Sequence, residues 1–225
     1  MKKLIFIVAL SAITIFSSFS QGIRFGVFAE PKFNWLSPDV SEFSNDGTRM
    51  GFNFGLIMDN YFTENYAFAT GISMNYVGGN LLLNSAYQIE DNSGDTLDLA
   101  QDSRLTYRLQ YVNIPLGLKL KTNPIGFISF TSNVGLTPQI NIKGLLEYET
   151  EGGNKLKENI SNEINLFNLG YHIGVGMEYN IGGNSAITAS IIYTNGFLDL
   201  TKDEKDSIED NITMNNVALK LGIMF

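Results

Sequence analysis

The sequence contains no cysteine and a single histidine, His172. Disulfide bonds, thiolate metal sites and a lipoprotein anchor on cysteine are therefore excluded. Beyond the first twenty residues the chain also lacks a run of about 18 consecutive apolar residues, so no transmembrane helix is expected. The formal charge of −8 argues against a nucleic-acid-binding protein, which would show a basic patch.

The first twenty residues have the pattern of a secretory signal peptide. Lys2 and Lys3 precede an apolar segment from residue 4 to residue 16, and Ser18 and Ser20 form a small-x-small cleavage pattern. We predict that residues 1–20 are removed and that residues 21–225 form a single domain.

Within the last twelve residues, the chain from Val217 onward alternates strictly between an apolar and a mixed face. The apolar positions are Val217, Leu219, Leu221, Ile223 and Phe225. A period of two indicates a strand, and an apolar final strand with a terminal aromatic residue is typical of an outer-membrane β-barrel.

The same alternation recurs upstream. It predicts strands at residues 22–36, 49–61, 66–77, 104–121, 126–142, 163–180, 185–197 and 214–225. The long connections 37–48, 78–103, 143–162 and 199–213 alternate with short turns. We therefore predict an all-β fold, an eight-stranded antiparallel transmembrane β-barrel of the bacterial outer membrane, with periplasmic termini and four long extracellular loops. A soluble lipocalin-like barrel is the alternative, but it would carry its apolar face inside.

The fourth predicted strand contains a change of phase. Apolar residues occupy odd positions from Leu105 to Tyr111 and even positions from Ile114 to Leu120. With the apolar side chains assigned to the lipid face throughout, the change predicts a β-bulge near Val112, just before Pro115.

The opposite face of the strands carries charges of both signs, which we expect to form a network of ion pairs and hydrogen bonds in the lumen. Its predicted members are Arg24, Glu30, Lys32, Asp59, Arg108, Lys119, His172, Glu178 and Lys220. Eight strands enclose an interior that side chains can fill, so a plugged lumen is favoured over a narrow hydrophilic pore.

Catalysis by His172 would require a nucleophile beside it at the outer leaflet. Ser73, Ser129 and Ser190 are candidates without a supporting motif, so no catalytic residue is assigned. The acidic connections suggest a divalent-cation site, but none has the spacing of a calcium-binding loop. No metal ion or cofactor is expected.

The segment Leu109-Gln-Tyr-Val-Asn-Ile-Pro-Leu-Gly-Leu-Lys119, together with the aromatic last strand, resembles the PorT-like or "porin family" outer-membrane barrels of Bacteroidetes. The resemblance implies a small outer-membrane barrel, and the member that names the family is similar to a component of a secretion machinery.

We accordingly expect a non-enzymatic barrel that is structural or an accessory subunit of an envelope complex, related to secretion or uptake. The alternatives are a narrow channel for small solutes and an outer-leaflet lipid-modifying enzyme. The expected partners are lipopolysaccharide and other outer-membrane lipid, the barrel-assembly machinery through the C-terminal strand, and a larger outer-membrane complex.

Overall fold

The computed structural model describes residues 22–90, 92–94, 96–149, 155–202 and 211–225, so the predicted signal peptide lies outside the described residues. Within these ranges no helix is long and apolar enough to cross a membrane. The strands are β1 Ile23–Pro38, β2 Phe43–Asn45, β3 Arg49–Tyr61, β4 Tyr66–Leu83, β5 Tyr87–Glu90, β6 Thr96–Leu99, β7 Arg104–Asn113, β8 Leu116–Lys121, β9 Ile128–Glu149, β10 Lys155–Asn159, β11 Phe167–Gly182, β12 Ser185–Gly196 and β13 Ile212–Met224.

Eight wall strands close into an antiparallel barrel, which confirms the predicted fold. The order around the wall is β1, β3, β4, the pair β7 and β8, β9, β11, β12 and β13. The last strand closes the ring against the first, with Val27 opposite Ile223 and Phe33 opposite Val217. Because the ring is closed, the wall has no open sheet edge along its shared length.

The two ends of the barrel differ in their connections. Residues 62–65, 122–127 and 183–184 form short turns at one end, where Gly22 and Phe225 also lie. We call this the turn end and the opposite one the loop end. Parts of the predicted loops at the loop end are β-strand. β4 and β9 extend past their predicted limits, and β2, β10 and the β5–β6 hairpin lie within the predicted loops.

The half of the wall nearer the turn end is apolar outside and polar inside. Outward side chains such as Phe25, Leu56 and Val175 are about half exposed, whereas inward Asp59 and Glu178 are almost completely buried. An apolar outer belt around a polar lumen is the arrangement of a wall that crosses a membrane.

The half nearer the loop end has the reverse arrangement. Its interior is a continuous apolar cluster whose members include Leu36, Leu81, Leu105, Leu146 and Ile212, all completely buried. The outer face there is charged, with Arg104 and Arg108 exposed. Water rather than lipid therefore surrounds this half, and the apolar side chains turn inward, as in a soluble barrel.

This reversal overturns the prediction for the fourth strand. Leu105, Tyr107, Leu109 and Tyr111 do not face lipid but form part of the interior cluster. The odd positions remain inward through Asn113 and Gly117, and the pairing register is the same on both sides of Pro115. The predicted bulge near Val112 is therefore absent.

A register shift does occur on the neighbouring strand. Gln110 pairs with Lys143 and Tyr111 with Asn141, so Ile142 is an extra residue in β9. Ile142 and Lys143 both lie on the outer face, and Gly144 and Leu146 are buried inside. The bulge thus changes the phase of β9 at the boundary between the two halves.

Leu146→Ala should lower the free energy of unfolding by about 2–5 kcal/mol, because it leaves a cavity in the loop-end core. Leu145→Ala is the matched control, since Leu145 lies on the outer face of the same strand and is only half-buried. Urea unfolding of the folded protein in detergent micelles measures both values. Equal losses for the two variants would contradict a core at the loop end.

Candidate functional site

The polar lumen of the turn-end half contains eight of the nine charged or titratable residues predicted to line it. Their strands place them at two levels, one around Glu178 and one around Glu30, with His172 near the second. Arg108 is the exception and is described below.

Glu178 is the centre of the level nearer the turn end. Its carboxylate accepts bonds from Arg24 Nη1 at 3.1 Å, Lys119 Nζ at 2.5 Å and Lys121 Nζ at 2.6 Å. Lys119 Nζ also bonds Asp59 Oδ2 at 2.5 Å. Because the side chain of Glu178 is only 1% exposed, the three cations offset the cost of burying its charge.

Lys121 was not among the predicted lumen residues, although the sequence contains the signal that would have found it. It has the same parity as Lys119 in β8, so the two side chains share the inner face. Arg24 also donates from Nη2 to the carbonyl oxygen of Asn184 at 3.0 Å, which ties this cluster to the β11–β12 turn.

The second level contains a buried ion pair within one strand. Lys32 Nζ lies 2.7 Å from Glu30 Oε1, and both side chains are less than a tenth exposed. Asn53 donates to the same oxygen at 3.4 Å. On the adjacent strand β13, Lys220 Nζ is 4.1 Å from the centroid of the Phe28 ring, a cation–π contact.

His172 is held by two polar neighbours. Asn133 Oδ1 lies 2.6 Å from Nε2 and the Thr137 hydroxyl 2.8 Å from Nδ1. The amide oxygen can only accept, so Nε2 donates to it, and the Thr137 hydroxyl can pair with Nδ1 as donor or acceptor. Both ring nitrogens are therefore hydrogen-bonded.

A chamber of about 110 Å³ lies between these groups. Four asparagines that line it are at least nine-tenths buried and have Oδ1 atoms without a hydrogen-bond partner: Asn53, Asn75, Asn113 and Asn216. The chamber therefore suits water or a small polar solute.

The lumen carries more positive than negative charge. Arg24, Lys32, Lys119, Lys121 and Lys220 face three carboxylates. In the described residues no group of three or more His, Asp or Glu side chains could hold a metal ion. The arrangement can pair buried charges and bind water.

Arg108, predicted to line the lumen, lies instead on the outer face. Its side chain is 45% exposed, and Nη2 lies 2.7 Å from Glu147 Oε2. Lys157 Nζ is 3.3 Å from the other oxygen of the same carboxylate. The prediction was wrong because it assigned the apolar odd positions of β7 to the lipid face, which put Arg108 inside.

Glu147 is beyond the membrane-spanning half and has a perturbed pKa. Burial by itself would raise the pKa of its carboxyl group, but hydrogen bonds and charges from Lys157 and Arg108 outweigh that effect and lower it. These two ion pairs are consequently present above the ordinary pKa range of a glutamate and are lost as the pH falls through the lowered value.

Glu178→Gln should lower the free energy of unfolding by about 3–5 kcal/mol, because it leaves three cations around a neutral side chain in the lumen. Glu147→Gln, which removes a carboxylate from a partly exposed cluster, should cost less than about 1 kcal/mol. Urea unfolding in micelles would contradict the role of the Glu178 cluster if the two losses were equal.

Comparisons with known proteins give one family match. The family described as "Outer membrane protein beta-barrel domain" matches residues 17–151, more than half of the chain. No curated protein sequence matches. The family match confirms the outer-membrane part of the resemblance noted above and does not extend to the PorT-like subgroup or to a Bacteroidetes source.

Several solved structures show a remote similarity to this chain. Neisserial surface protein A is 11% identical, with 91% of this chain and 100% of that chain covered and a TM-score of 0.48. A major outer membrane protein of Thermus thermophilus is 12% identical, with coverages of 91% and 99% and a TM-score of 0.45. OprG of Pseudomonas aeruginosa is 9% identical, with coverages of 89% and 95% and a TM-score of 0.42. These similarities are too remote to indicate a function.

The closed eight-strand ring and its apolar belt agree with the family match over more than half of the sequence. The chain is a bacterial outer-membrane β-barrel and belongs to the outer membrane protein beta-barrel domain family.

Proposed function

We propose that this protein is a non-conducting, non-enzymatic barrel that serves as an accessory subunit of a larger envelope complex. In the proposed orientation the turn end, with both termini, faces the periplasm and the loop end faces outside, as is usual for barrels with short turns at one end and long connections at the other.

The loop-end core is the observation that carries the proposal. Leu36, Leu81, Leu105 and Leu146 are completely buried inside the wall, on the side of the chamber opposite the Glu178 cluster. An ion crossing the lumen would have to leave water and enter an apolar interior at that point, at a high cost in free energy. A filled interior is also what an eight-stranded barrel favours.

A narrow channel remains the second candidate because of the chamber itself. Its asparagine oxygens and its excess positive charge would suit a small anion or a polar solute. Conduction would require the loop-end core to open, and the closed packing of Tyr107 and Tyr111 with the leucines of that core argues against it.

The surroundings of His172 support the absence of enzymatic activity. Its ring nitrogens bond Thr137 and Asn133 rather than Ser73, Ser129 or Ser190. The ring is 7% exposed and faces the chamber, whereas a lipid-modifying enzyme would need its nucleophile and base at the membrane surface.

The accessory role is supported by the ordered strands at the loop end. β4 and β9 continue past the apolar belt and pair with β2, β7 and β10, so the wall forms a sheet beyond the membrane. A preformed surface of this kind binds a partner at a low cost in conformational entropy. The resemblance of residues 109–119 to PorT-like barrels also supports a place in an envelope complex.

The purified protein should show no discrete conductance in planar lipid bilayers, because the loop-end core closes the lumen. A large porin reconstituted in the same way is the positive control. Stepwise currents whose anion selectivity is altered by Lys220→Gln would contradict the proposal and establish the channel, since Lys220 lines the chamber.

An affinity tag inserted between Lys202 and Asn211 should recover a stoichiometric complex from detergent-extracted native outer membranes. The same tag on an unrelated eight-stranded barrel controls for bulk membrane protein. Recovery of this chain alone, at the size of a single barrel on a native gel, would overturn the accessory role and leave a free-standing structural barrel.

A further inference from the structure

The outer face of the loop-end wall carries a group of cationic side chains. Arg104 and Arg108 project from β7, Lys143 from β9 and Lys157 from β10. All four are exposed, and Arg104 also contacts Asp46. We call these four residues the basic patch.

The basic patch begins where the apolar belt ends. On β9, Lys143 directly follows Ile142, which is 50% exposed on the outer face. On β7, Arg108 lies four residues from Val112, about 13 Å along the strand at 3.3 Å per residue. Lys143 and Arg108 therefore lie at the height of lipid headgroups, next to the end of the apolar belt, and Arg104 and Lys157 lie farther from it.

The nearby carboxylates offset only part of the charge of the patch. Asp46 pairs with Arg104, and Glu149 lies on the same outer face of β9. Glu147 is shared between Arg108 and Lys157, and Lys143 makes no ion pair with any residue that the structure describes. Arg49, at the start of β3, adds a further charge. Burial and the nearby charge of Arg108 lower the pKa of Arg49, and Glu147 opposes this effect only in part.

The distribution of cations around the barrel is uneven. Among the Lys and Arg side chains that the structure describes, five line the lumen, Lys202 follows β12, and the rest are Arg49 and the basic patch. The outer surface of a chain with a net charge of −8 therefore has its positive charge concentrated on one side. Solubility alone would not require the positive charges to cluster on one side of the outer surface.

We propose that the basic patch binds the phosphate groups of lipopolysaccharide in the outer leaflet. Arg108 would pair with a phosphate through its guanidinium group and Lys143 through its ammonium group, while the acyl chains lie against the apolar belt below Ile142. Arginine matches the geometry of phosphate oxygens, and lysine supplies a point charge. The patch faces sideways along the membrane plane rather than into the medium, which favours a lipid over a soluble anion.

This inference rests on the orientation given under the proposed function and not on whether the lumen conducts or a partner binds. Native mass spectrometry of the mature chain folded in detergent micelles tests it. The probes are bisphosphorylated lipid A, the same lipid without its phosphates, and inorganic phosphate. The variant is Arg108→Gln with Lys143→Gln, and the control, Lys202→Gln with Lys205→Gln, removes two positive charges from the connection between β12 and β13.

The protein and the control should bind bisphosphorylated lipid A, and the Arg108–Lys143 double variant should bind it at least about tenfold more weakly, as expected for loss of hydrogen bonds between charged groups. Binding should weaken with added salt. Equal affinity of the double variant and the control would overturn the proposal. The proposal would also be overturned if the protein bound the lipid without phosphates as tightly as bisphosphorylated lipid A. The same holds if inorganic phosphate saturated the protein at the concentration at which bisphosphorylated lipid A does.

The orientation is tested separately by labelling single introduced cysteines. Because the sequence contains no cysteine, only the introduced thiol can react. Lys202→Cys at the loop end should react with a membrane-impermeant maleimide on intact cells, and Asn123→Cys at the turn end should react only after lysis. The reverse pattern would place the patch in the inner leaflet and overturn binding to lipopolysaccharide, whatever the result with purified lipid.

Discussion

The structure depends on a change of solvent along the length of each wall strand. Where the wall crosses hydrocarbon, apolar side chains must point outward and polar ones inward. Where the same wall continues into water, the preference reverses. β7 and β8 show both regimes in one wall segment, with Leu105 and Leu109 inside and Leu116 and Leu118 outside. The extra residue Ile142 makes the corresponding change possible in β9, where an uninterrupted alternation would have placed Lys143 in the core.

The interior is layered as a result. Ion pairs around Glu178 occupy the turn end, a polar chamber with the Glu30–Lys32 pair follows, and an apolar core closes the loop end. Each layer meets the physical demand of its position, because buried charges need partners and a chamber with unpaired amide oxygens needs water. The core supplies apolar packing that the polar layers lack.

Reading alternation from the sequence found all eight wall strands and eight of the nine lumen residues in their structural places. It failed for Arg108, because alternation identifies two faces without saying which is inside. Leu105, Tyr107, Leu109 and Tyr111 have the composition of a lipid-facing set, and nothing local distinguishes them from one. The same reasoning could have identified Lys121 as a lumen residue. It could not have identified the hydrogen-bond partners of His172, because Asn133 and Thr137 contact His172 from another strand.

The amino-acid pattern alone determines the strand period, the number of wall strands, the alternation of short turns with long connections and the presence of charges of both signs on one face. These are local properties of the chain, and each follows from side-chain order within a segment. The tertiary structure decides where the wall leaves the membrane, which face is inside beyond that height, and which charges pair. Those properties arise only when distant strands are brought into register, as when Arg24, Lys119 and Lys121 converge on Glu178.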